Sequence, residues 1–139
     1  MAIWSKGLAT RAGAYRASKW GGIACLLQAA RMTIGTIVTL IAAPKGIVYA
    51  AAYFIGASLI PIFLAVAGAR LWRGEGMVWG SVAVAAVAFD LVVYAPELNS
   101  IQAIAAVTVK VALVLLMING VRGALAIRHV DYSNATVFD

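Results

Sequence analysis

Between Lys45 and Arg70 the chain carries no charged side chain, and no run of polar residues breaks the stretch. As a helix rising 1.5 Å per residue, such a segment is about 35 Å long, slightly more than the hydrocarbon thickness of a bilayer. A soluble domain has no place for it, because a small domain leaves much of its surface in water. Two further apolar runs follow, at about residues 77–94 and 100–121, and a fourth, weaker one precedes them at 20–43. The alternation of a transmembrane barrel strand is absent from all four.

Composition agrees with this reading. Hydrophobic residues make up 64% of the 139-residue chain and charged residues 12%. An ordinary soluble domain is about half apolar and about a quarter charged. The sequence therefore predicts an all-α integral membrane protein with four transmembrane helices at about 20–43, 47–69, 77–94 and 100–121. Short turns join them into two hairpins. Pro44-Lys45-Gly46, Gly74-Glu75-Gly76 and Ala95-Pro96-Glu97 supply the turns. The transmembrane domain is expected to occupy residues 20–129, followed by a short cytoplasmic tail at 130–139. Pro61 is expected to kink the second span, where neighbouring groups can satisfy the carbonyl it frees.

The charge is uneven. Residues 1–73 hold Lys6, Arg11, Arg16, Lys19, Arg31, Lys45, Arg70 and Arg73, and the first acid is Glu75. The segment 1–19 reads as a basic interfacial helix or, alternatively, as a frayed basic cytoplasmic tail. Trp4, Leu8 and Tyr15 share a face, and Lys6, Arg11, Arg16 and Lys19 lie close to lipid phosphates. Arg70 and Arg73, flanking Trp72, mark a second headgroup boundary. Basic residues enrich the cytoplasmic loops of membrane proteins. The N-terminal segment, the 70–76 turn and the 122–129 segment are basic, whereas the 95–99 turn carries only Glu97 and the 44–46 turn only Lys45. Four spans put the first group on one side, with both termini cytoplasmic in a bacterial inner membrane. Three spans would place Arg70 and Arg73 outside. The expected partners are anionic lipid headgroups and either a homo-oligomer or a larger membrane complex. A nucleic-acid partner is not expected.

Three charges fall within spans: Arg31, Asp90 and Lys110. A charge at mid-bilayer costs about 2.5–3.5 kcal/mol on the insertion scale, so these groups should face protein or water. Asp90 and Lys110 lie on neighbouring antiparallel helices within about a turn of the same depth, and an ion pair is feasible. Ala83, Ala86 and Val87 share the face of Asp90, and Ala103, Ala106 and Val107 that of Lys110. Ala52 with Gly56, Ala65 with Ala69, and Ser81 with Ala85 have the spacing of close helix packing, but in a chain this rich in Ala and Gly such matches arise by chance and support packing only in general.

Other chemistry finds no constellation. One cysteine, Cys25, precludes an intrachain disulfide, and one histidine, His129, stands at a basic helix end. No metal, cofactor or catalytic site is expected, because metal ligation and acyl transfer each need several convergent groups. The sequence thus points to a non-enzymatic structural or accessory subunit. The alternative is a small transporter or channel using Asp90, Lys110 and Arg31. A third reading is a subunit of an extruded helical filament or membrane-bound particle.

The orientation is testable in a Cys25→Ala background. A membrane-impermeant thiol reagent applied to whole cells should label Glu97→Cys and leave Arg73→Cys unmodified. The reverse pattern would refute the four-span arrangement.

Overall fold

The computed structural model describes residues 10–42, 46–94 and 101–135. These form four helices: α1 (Arg11–Ala42), α2 (Ile47–Trp72), α3 (Met77–Tyr94) and α4 (Ile101–Ala135). No strand occurs among the described residues. α1, residues Tyr49–Trp72 of α2 and Ile104–His129 of α4 are each long and apolar enough to cross a membrane. The apolar part of α3, Met77–Val92, is shorter. The composition and these helices together define a membrane-embedded helical bundle.

α1 packs extensively on both α2 and α4, and α3 also contacts both. The four helices therefore close into a ring with α1 and α3 on opposite sides. What allows α1 so close to two neighbours is a seam of glycines. A Cβ added at Gly21 would lie 2.4 Å from the Gly120 Cα, and one at Gly22 would lie 2.8 Å from the Gly68 carbonyl oxygen. On the other side, a Cβ at Gly123 would meet the Ala14 carbonyl oxygen at 2.5 Å. Small residues let helix backbones touch where lipid offers no hydrophobic drive to push them together.

The expected small-residue pairs do not make this seam. Ala52, Gly56, Ala69, Ser81 and Ala85 are exposed, and a Cβ at Gly56 would meet nothing within 4 Å. The face of α3 is as expected in part, since Ala83 and Val87 are buried. On α4 the buried line is Lys110, Leu113, Met117, Gly120 and Ala124, spaced three or four residues apart, while Ala106 is exposed. With Leu64, Ala67 and Leu71 of α2 and Ala24, Cys25 and Ala29 of α1, this line forms the core.

Both long helices overrun their expected limits. α1 starts nine residues ahead of the expected span and passes unbroken through Lys19 and Trp20, so residues 11–19 are continuous with that span. The reason is packing: Ala14, Ala17 and Ser18 are buried. The Tyr15 hydroxyl donates to the Arg73 carbonyl at 3.1 Å, and the Ser18 hydroxyl donates to the Leu71 carbonyl. α4 likewise continues past Val121 to Ala135, through most of the expected tail. At 1.5 Å per residue the two helices are roughly 50 Å long. Trp4, Lys6 and the 95–99 turn lie outside the described residues.

The turn between α2 and α3 is closed by backbone bonds. Gly74 adopts φ 81°, and its N–H donates to the Leu71 carbonyl at 3.0 Å while that of Glu75 donates to the Arg70 carbonyl at 3.1 Å. Left-handed glycine is the common way to end a helix and satisfy its last carbonyls. Pro61 lies inside α2, buried, and the helix continues through it.

The seam predicts its own sensitivity. Gly21→Ala or Gly120→Ala should lower stability in detergent by about 1–3 kcal/mol, because two backbones must part to admit the methyl group. Gly35→Ala, where the added Cβ meets nothing within 4 Å, should be neutral or slightly stabilising. Thermal unfolding followed by circular dichroism distinguishes them, and equal effects at Gly21 and Gly35 would contradict the seam.

Candidate functional site: a polar layer within the bundle

The antiparallel crossing of α1 and α4 at Gly21 and Gly120 sets a register. Ten residues along α1 from Gly21 is Arg31, and ten residues back along α4 from Gly120 is Lys110. These two therefore stand at similar heights. Asp90 joins them from α3, where its Oδ2 lies 2.7 Å from the Lys110 Nζ. Gln28, one turn from Arg31, is fully buried and accepts a hydrogen bond from the Arg31 Nε at 3.2 Å. The three charges read from the sequence thus fall in one layer, with Gln28 as an unforeseen fourth member.

The layer is asymmetric. Lys110 is buried and Asp90 is half-buried, and their bond satisfies both charges across the α3–α4 contact. Arg31 is exposed on the far side of the ring. Among the described residues no carboxylate lies within ion-pair distance of it. The Gln28 Nε2, buried, has no hydrogen-bond partner among the described residues. A buried amide left unpaired costs about 1–3 kcal/mol, so this position is polar at the expense of stability.

The layer also marks where packing ends. On the side of the 73–76 turn, buried residues occur on all four helices: Ala14 to Ala29, Pro61 to Leu71, Gly76 to Val87 and Lys110 to Ile127. On the other side, residues 30–42, 49–60, 88–92 and 104–109 contain none. Ile34, Val38, Ile41, Tyr53, Phe89 and Val109 are exposed there. A helix held in a bundle buries at least a stripe. Over residues 30–42, α1 only half-buries its stripe, Met32, Thr36 and Leu40.

The basic end gathers the remaining site residues. Arg11, Arg16, Lys19, Arg70 and Arg73 are all exposed there, with Arg122 and Arg128. Two tryptophans anchor cations: the Lys19 Nζ lies 5.7 Å from the Trp72 ring centroid, and the Arg70 guanidinium 5.3 Å from that of Trp79. Arg70, Glu75, Trp79 and Arg128 line an open cleft of about 390 Å³. Among the described residues no three His, Cys, Asp or Glu side chains come together as a metal site.

Comparisons with family models, curated proteins and solved structures give no match for this chain.

The ion pair can be tested by a double-mutant comparison in detergent. Asp90→Asn or Lys110→Met alone should each cost roughly 3–5 kcal/mol, since either strands a charge in a dry setting. The double variant should be closer to the parent than either single one. Small, additive effects would show that the pair contributes nothing.

Proposed function

We propose that this chain is a four-span integral membrane protein acting as a non-enzymatic structural or accessory subunit of a membrane assembly. The observation that carries this reading is the abrupt end of packing at the polar layer. Below it the helices touch backbone to backbone. Above it no described side chain of any helix is buried. Lipid can solvate part of the exposed surface of those segments, and a further polypeptide covers the rest at high packing density.

In this reading α3 crosses as well. Its 18 residues rise about 27 Å, and the ends of α2 and α4 beside it fix its depth. The basic end faces the cytoplasm, and its exposed arginines and lysines meet anionic headgroups, as in a bacterial inner membrane. The Lys110–Asp90 pair then holds α3 against α4 and fixes their register. A transporter reading draws on a different observation, the unpaired Gln28 amide beside Arg31. It makes these groups part of a solute path, which would require water to reach the layer.

Site-specific photo-crosslinking in native membranes tests the proposal. A photoreactive residue in place of Ile37, Tyr53 or Val109 should give discrete protein adducts, with none at Ala12 on the basic end. Lipid adducts alone at all three positions would contradict it.

A further inference from the structure

We infer that the outer half of α1 docks a transmembrane helix of a different protein, one that carries a carboxylate at the depth of Arg31. This inference rests on the subunit reading above and names the chemistry of the partner.

Charge within the polar layer is unbalanced. Lys110 and Asp90 neutralise each other at 2.7 Å, and Asp90 stands on α3, across the ring from α1. Arg31 adds a second cation with a neutral Gln28 carbonyl as its hydrogen-bond partner. Among the described residues the layer holds two formal positive charges and one negative. Arg31 lies twelve residues past Lys19 and eleven before Ala42, the last residue of α1, so about 16–18 Å of helix separates it from either boundary. That distance exceeds what an arginine stem spans by snorkelling, so a headgroup phosphate does not reach it. Charged groups at such depth face protein or water and pair with one another.

A second copy of this chain does not supply the missing anion. Each copy brings the same excess cation to the layer, so association through this face accumulates charge instead of cancelling it. Like charges in a medium of low dielectric repel strongly. A foreign helix with one Asp or Glu at mid-depth restores neutrality. It also offers Arg31 a fork-shaped, two-bond contact that Gln28 cannot. The apolar flank is ready for such a helix: Ile34, Val38 and Ile41 are exposed along the same segment. Gly35, between them, has open space where a Cβ would stand, so another backbone can approach.

The test uses the full chain, fluorescently tagged at its C-terminus, in phosphatidylcholine vesicles. The probes are labelled synthetic helices of leucine and alanine with a single central Asp, Asn or Leu. Energy transfer should show the Asp helix binding about tenfold more tightly than the Leu helix, the scale of one interhelical polar contact. Arg31→Leu should abolish that preference and Arg31→Lys should keep most of it. Binding of all three probes alike would overturn the charge inference while leaving the subunit reading intact. Loss of the Asp preference when phosphatidylglycerol is added would overturn it in favour of lipid phosphate. Self-transfer between copies that disappears in Arg31→Leu would overturn it in favour of a second copy. Failure of the subunit reading is read separately, as lipid-only adducts in the crosslinking experiment.

Discussion

Where α1 crosses α4, Gly21 and Gly120 let two helix backbones meet with no side chain between them. Gly22 does the same against Gly68 of α2. In lipid, the attraction between helices comes from contact and hydrogen bonding and not from expelling water, so the closeness permitted by missing side chains is itself the stabilising feature. The rest follows from it. The crossing fixes the height of α1 against its neighbours, brings Ser18 and Tyr15 within reach of the α2 terminus, and puts Arg31 level with Lys110. α1 thus acts as a wedge whose basic half is locked between two helices and whose other half is not.

The polar layer sits at the boundary between those halves. On the α3–α4 side, a lysine and an aspartate close on each other and their charges cancel. On the α1 side, an arginine leans on a glutamine whose own amide has no partner among the described residues. Burying polar groups in that unequal way is costly. A lone chain gains nothing evident from Arg31, whereas a chain that docks against another gains a point of recognition. Polar residues inside membranes are more often specificity devices or functional groups than sources of stability.

The helices were legible in the sequence because lipid imposes a simple rule, and so were the three charges that meet in one layer. Every backbone polar group must be paired within a helix, so apolar runs of sufficient length become helices regardless of partner. The Asp90–Lys110 bond followed from a short turn and matching depths. The glycine seam was not read, although Gly21-Gly22 and Gly120-Val121-Arg122-Gly123 stand in plain view. In a chain with 13 glycines and abundant alanine, spacing alone does not say which small residues face a neighbour. Gln28 was missed for a related reason: a single amide acquires meaning only when the crossing places it beside Arg31. The start of α1 was underestimated because hydropathy marks where lipid begins, whereas its first turns are held by the burial of Ala14, Ala17 and Ser18.

The central claim is that the half of the bundle beyond the polar layer is covered by another polypeptide in the membrane. Native mass spectrometry of particles cut directly from the membrane with a lipid-retaining polymer measures this without detergent exchange. The account predicts a particle heavier than one chain by a defined second polypeptide at fixed stoichiometry. That polypeptide should be released by Arg31→Leu and retained by Arg31→Lys. A particle holding a single copy of this chain and lipid alone would contradict it.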